Sequence, residues 1–67
     1  MKLTLNGEAR EFEPAVPTVL ALLEQLAMAE RRVAVEVNGT IVRRAAWEAA
    51  ALADGDVVEI VQFVGGG

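Results

Sequence analysis

The sequence predicts an α+β domain in which one main helix packs across a mixed β-sheet. Three observations carry this expectation. Alternation in the stretches 2–6 and 33–37 has the period of a half-buried strand, and the Val-rich run 57–63 reads as a further one. A single helical stripe occupies 19–26, and two Asn-Gly pairs, at 6–7 and 38–39, fall where hairpins would turn. Helices confined to one face of a sheet define the class.

The elements follow in order. Leu3 and Leu5 share one face of the first strand, and Asn6-Gly7 turns it into a return strand over Glu8–Glu13. That strand carries Ala9 and Phe12 among Glu8, Glu11 and Glu13, so it reads as a half-exposed edge protected by its charge. Pro14 and Pro17 end it, and Thr18 is placed to cap a helix. Val19, Leu22, Leu23 and Leu26 then recur at i, i+3, i+4 and i+7, and this stripe should lie on the sheet until the helix ends near Ala29. A groove for a partner helix would need the same stripe, but no other long helix is present to close the core.

Val33, Val35 and Val37 face inward on the next strand, Asn38-Gly39 turns it, and Thr40–Val42 returns. Arg43-Arg44 opens an exposed connection; both side chains could pair with a partner's acids, but solvated charge is the expected role. The stretch 45–52, with five Ala and Trp47, reads as a short helix or turn, and Trp47 as a lid on the second edge of the core. Asp54-Gly55-Asp56 turns into a last strand over 57–63. The order strand, strand, helix, strand, strand, short helix, strand is that of the β-grasp arrangement of about five strands. It ranks ahead of a ferredoxin-like split, which needs a second full-length helix.

A domain of 1–64 is thus followed by the glycine tail 65–67. Gly65-Gly66-Gly67 can pack no core and loses much entropy if ordered, so it reads as an extensible thread presenting the α-carboxylate of Gly67. With no Cβ, such a thread could be drawn through a narrow channel to a partner's catalytic centre. A plain flexible end or a leftover linker would have the same composition.

Composition narrows the functions available. A chain of 67 residues makes one small domain, and it has no Cys, His, Ser or Tyr. Thiolate nucleophiles, disulfides and the commonest general base and metal ligand are therefore missing, and no cofactor of its own is expected. The net charge of -4 argues against nucleic acid or an anionic membrane as partner. No stretch has the about 18–20 apolar residues of a membrane span, and the beginning of the chain lacks the pattern of a signal peptide, so the cytoplasm is the expected location. Carboxylates such as Glu11 and Glu13 are expected to be solvated, with nothing to shift them towards acid–base work. The chain reads as something acted upon, not as an enzyme.

Val35-Glu36-Val37-Asn38-Gly39-Thr40-Ile41-Val42-Arg43-Arg44, then Trp47, then Leu52 to Ile60, and finally Val64-Gly65-Gly66-Gly67 resemble the ThiS family of sulfur carrier proteins. The likeness covers essentially the whole chain. The Asp54-Gly55-Asp56 turn and glycine end are shared with the molybdopterin-synthase small subunit and other ubiquitin-like carriers, while the Asn-containing turn and the Arg44-to-Trp47 spacing favour ThiS. The resemblance implies adenylation of the terminal glycine by a ThiF-type adenylyltransferase using MgATP. It also implies conversion to a thiocarboxylate with a sulfur donor system, and delivery of that sulfur to a ThiG-type thiazole synthase for the thiazole ring of thiamine. The family's Gly-Gly falls on Gly66 and Gly67, with Gly67 the acceptor and Gly65 an additional glycine.

A carboxylate is a poor electrophile, so adenylation must first supply a leaving group. The carrier itself then needs no acid, base or metal, and recognition falls to its folded body. Alternation along the last strand turns Val58 and Ile60 towards the helix and leaves Glu59, Val61 and Phe63, with Val64 next in the chain, as the expected partner-binding residues. Phe63 could alternatively fold back over the sheet edge as cover for the core. Delivery to molybdopterin or to a tRNA base would use the same tail chemistry, and an interaction domain with inert glycines is the reading from another class.

Overall fold

A computed structural model describes residues 1–63. Its elements are β1 Lys2–Leu5, β2 Glu8–Glu11, α1 Val19–Gln25, β3 Val33–Val37, β4 Thr40–Val42, a 3₁₀ turn at Arg44–Ala46, and β5 Val57–Gln62. The five strands form one sheet in the order β2-β1-β5-β3-β4. β5 pairs parallel with β1 and antiparallel with β3, and each outer strand pairs antiparallel with its hairpin partner. This is the β-grasp arrangement that the order of elements predicts.

Both Asn-Gly pairs make their turns with positive φ at each position: 49° and 84° at Asn6-Gly7, 51° and 85° at Asn38-Gly39. Two consecutive left-handed residues match the twist of the flanking strands, which is why this dipeptide selects a two-residue hairpin. Thr18 caps α1 as expected, its hydroxyl accepting from the Ala21 N–H at 3.1 Å.

α1 is shorter than its stripe suggests. It ends at Gln25 because Ala27 turns left-handed, at φ 60°, and the chain closes on itself: Met28 N–H donates to the Leu23 carbonyl and Ala27 N–H to that of Glu24. This paired closure is a Schellman motif, normally signalled by glycine at the left-handed position. Here alanine occupies it, so the expected extension to Ala29 fails. The first hairpin also differs from expectation, since β2 stops at Glu11 and all four of its residues are exposed. Phe12, read as part of a half-exposed strand, instead turns into the core at 5% exposure.

The core lies between α1 and one face of the sheet. Leu3, Leu22, Leu23, Val19, Val35 and Val58 are fully buried, joined by Leu5 and Ile60. Leu26, Val33 and Val37 are only half-buried against this cluster. Phe12, Val16 and Leu52 complete it from the connections, which alternation within strands does not reveal. Trp47 closes one edge as a lid, buried to 3% exposure, with its indole N–H donating to the Val42 carbonyl at 3.1 Å. The segment carrying it is stitched to the start of α1: Leu20 N–H donates to the Trp47 carbonyl, Val19 N–H to that of Ala50, and Leu52 N–H to that of Pro17.

Arg44 is exposed, as expected of a solvated charge, but it is also tied in place. Its guanidinium stacks on Trp47 at 4.5 Å and donates to the carbonyls of Ala29 and Arg31, tying the lid to the chain beyond α1. The planar fork of an Arg suits this combined stacking and two-carbonyl role, and a Lys would not reproduce it.

Candidate functional site

The expected acceptor Gly67, the glycines Gly65 and Gly66, and Val64 lie outside the described residues, as does the junction between a body of 1–64 and a tail of 65–67. What the structure describes is the strand that leads to them. β5 is the central strand, with β1 on one side and β3 on the other. Val58 and Ile60 point into the core, at 0% and 7% exposure, and Glu59, Val61 and Phe63 stand on the open face. Val61 is 57% and Phe63 58% exposed, so Phe63 does not fold back over the sheet edge. Its N–H donates to the Arg32 carbonyl at 2.9 Å, continuing the β3–β5 ladder to the edge of the described chain.

Side chains of the two hairpin turns hold β5 in register from opposite sides. On the β1 side, Asn6 Oδ1 accepts from Ile60 N–H at 2.7 Å and Asn6 Nδ2 donates to the Ile60 carbonyl at 3.2 Å. A side-chain amide here replaces the backbone partner that β1 would have supplied had it not turned away at Gly7. On the β3 side, Asn38 Oδ1 accepts from Val57 N–H at 2.9 Å, and Asn38 Nδ2 donates to Asp56 Oδ1 at 3.0 Å. Asp56 Oδ2 accepts from Ala53 N–H at 2.8 Å. The Ala53 N–H and then the Asn38 amide hold the Asp56 carboxyl below its ordinary value, because both donate to the charged form.

Sequence patterning finds the Asn-Gly turns but not these clamps. The signal was available in the residue type: Gly or Asp would turn the chain as well, and only Asn offers both a donor and an acceptor to a neighbouring peptide. Among the carboxylates considered for acid–base work, Glu11 accepts from the Met1 ammonium at 2.9 Å, and that hydrogen bond raises the ammonium above its ordinary value. A surface depression past the end of α1 is lined by Glu24, Ala27, Ala29 and Glu30, a set with two carboxylates and no partner for either. The geometry that distinguishes this molecule is therefore the open face of β5, whose exposed side chains run up to Phe63.

The ThiS family model matches residues 3–67. The chain belongs to the ThiS family. A structural neighbour, the thiamine biosynthesis protein (ThiS) from Geobacter metallireducens, superposes with a TM-score of 0.85 at 40% identity, with both chains covered in full. The sulfur carrier protein ThiS of Bacillus subtilis is 37% identical over 65 residues, 97% of this chain and 98% of its own length. A thiazole synthase of Paramagnetospirillum magneticum is 49% identical over all 67 residues. This chain spans only 20% of the length of that synthase, and the same share of a second one from Magnetococcus marinus.

Proposed function

We propose that the chain is a sulfur carrier for thiamine biosynthesis, with the α-carboxylate of Gly67 as the group that carries sulfur. The observation that supports this best is the extent of the family match, which runs through residue 67 and so takes in the glycine triplet. In the first step a carboxylate oxygen attacks the α-phosphorus of MgATP, held by a ThiF-type adenylyltransferase, and pyrophosphate leaves. A sulfur donor system then supplies a sulfur nucleophile to the acyl carbon, AMP departs, and a thiocarboxylate results. Thiazole synthase receives that sulfur for the thiazole ring. The pairing is supported by the two relatives in which a thiazole synthase contains a segment like this chain. Both steps belong in the cytoplasm, where ATP is available.

Residues 1–64 serve as the recognised body and Gly65–Gly67 as the thread, with Glu59, Val61, Phe63 and Val64 as the partner-binding surface at its root. Catalytic groups come from the partners, so the carrier needs none. The test is intact mass after incubation with a ThiF-type enzyme, MgATP and a sulfur donor. The expected product is heavier by one oxygen-to-sulfur exchange, and an unchanged mass overturns the reading. A residue added after Gly67 moves the carboxylate by up to about 3.5 Å, so ATP–pyrophosphate exchange should collapse for that variant and fall sharply for Gly66→Ala or Gly67→Ala. Removal of 65–67 should leave the melting curve unchanged while abolishing exchange.

A further inference from the structure

On the half of the open face formed by β5, β3 and β4, the charges run in a fixed order along β5. Strand register places them. Beside the departing chain, Arg32 lies opposite Phe63, because the Phe63 N–H to Arg32 carbonyl bond extends the pairing of Val33 with Gln62. One step back, Val61 pairs with Ala34, and the β3–β4 register that joins Val35 to Val42 brings Arg43 to the far side of Ala34. Arg43 is extended, at φ -72° and ψ 155°, so alternation puts it on the face of the exposed Ile41 and opposite that of Val42. A further step back, Glu59 pairs directly with Glu36, and Glu36 with Ile41.

Neither end of this row is neutralised internally. Among the described residues, the sole ion pair is that between the Met1 ammonium and Glu11, so Arg32, Arg43, Glu36 and Glu59 have no charged partner there. Like charges directly opposite across a ladder destabilise it, and the Glu36–Glu59 pair sits on two central positions of β3 and β5. Val61 and Phe63, both more than half exposed, lie level with Arg43 and Arg32 at the basic end. A face with guanidiniums and exposed apolar groups at one end and carboxylates at the other fits a protein surface of the reverse charge order in one orientation only.

We infer that this face reads the orientation of its protein partner by charge order: Arg32 and Arg43 meet carboxylates at the mouth of the channel that admits the thread, and Glu36 and Glu59 meet a basic group farther from it. The inference rests on the carrier reading and adds a direction to it. Docking in reverse would set Arg against basic groups and Glu against acids, and would point the chain end away from the channel. Correct orientation is thus selected before the thread is engaged.

The test is the KM for the carrier in ATP–pyrophosphate exchange by a purified ThiF-type adenylyltransferase. Arg32→Glu with Arg43→Glu should raise KM about ten-fold at low salt with kcat unchanged, and the difference should shrink between about 50 and about 300 mM salt. Glu36→Lys with Glu59→Lys discriminates further. General attraction of the carrier to an acidic partner would make this more basic variant bind better, whereas recognition of charge order requires its KM to rise as well. A lowered KM, or no change in either pair, overturns the inference while exchange by the unaltered chain still supports the carrier. Absence of exchange by the unaltered chain at every salt concentration removes both. All four side chains are exposed, so melting curves should match the parent, and Arg32→Gln with Arg43→Gln, which removes charge without reversing it, should give a smaller rise in KM.

Discussion

The two faces of the sheet are finished differently, and β5 contributes to both from adjacent residues. On the covered face Val58 and Ile60 are closed over by α1, and on the open face Val61 and Phe63 stay more than half exposed. The backbone between them is the same six-residue strand. Side-chain alternation alone separates the packed groups from the exposed ones. A chain this small has one core, so the apolar groups left outside it stand out against a surface otherwise rich in charge.

The largest difference between the faces should appear at the neighbouring residues 60 and 61. Ile60→Ala removes buried methyl groups beside α1 and should destabilise by about 2–5 kcal/mol, measured by denaturant unfolding. Val61→Ala should change stability by no more than about 0.5 kcal/mol. Comparable losses at both positions would mean that the open face is not open. Next in size is Asn6→Ala, which leaves the Ile60 N–H and carbonyl without their clamp. A cost of about 1–3 kcal/mol is expected, and Asn6→Asp should recover less than half of it, because a carboxylate can accept from the N–H but cannot donate to the carbonyl.

A smaller effect concerns the other clamp and depends on pH. The folded-state value of the Asp56 carboxyl lies below its ordinary 3.8, so the charged form is preferred in the folded chain. Its contribution is present above the ordinary value and lost as pH falls through the depressed one. The stability gap between the parent and Asp56→Asn should therefore be constant near neutrality and narrow below pH 3.8. Melting curves across that range measure it, and a gap that widens on acidification would reverse the assignment of donors.

Where the chain signals its structure through period and turn chemistry, the fold is legible in the sequence. Alternation marks β1 and β3, a Val-rich run after the Asp54-Gly55-Asp56 turn marks β5, and the Asn-Gly pairs mark both hairpins, since each signal is a local property of a few residues. The errors fall where tertiary contacts override local cues. Ala27 accepts a left-handed turn, at a cost of about 1–2 kcal/mol for an L-residue, so that Met28 can close the motif and join the core. Phe12 and Val16 are buried from an irregular connection that has no period to read. In the candidate site the exposed face of β5 follows from alternation, but Arg32 joins it only through register with Phe63, a non-local fact. Arg44 is exposed as expected, but its ties are not legible for a related reason: Trp47 is three residues away, yet the two carbonyl partners lie across the chain.

The smallest expected effect on folding is also the one that best separates the two faces by function. Phe63→Asp places a carboxylate where an apolar ring stands 58% exposed, on a face with no helix over it. Little packing is lost, and the backbone bond from Phe63 to Arg32 does not involve the side chain. Stability should change by no more than about 0.5 kcal/mol, whereas a buried Phe would cost about 3–5 kcal/mol on truncation. On the proposed function, docking to a ThiF-type adenylyltransferase should nevertheless weaken, because an apolar contact would be replaced by a charge that prefers water. Melting and affinity measured on the same preparation distinguish the cases. Strong destabilisation with unaltered affinity of the folded fraction would make Phe63 part of the core and leave the open face without its central contact.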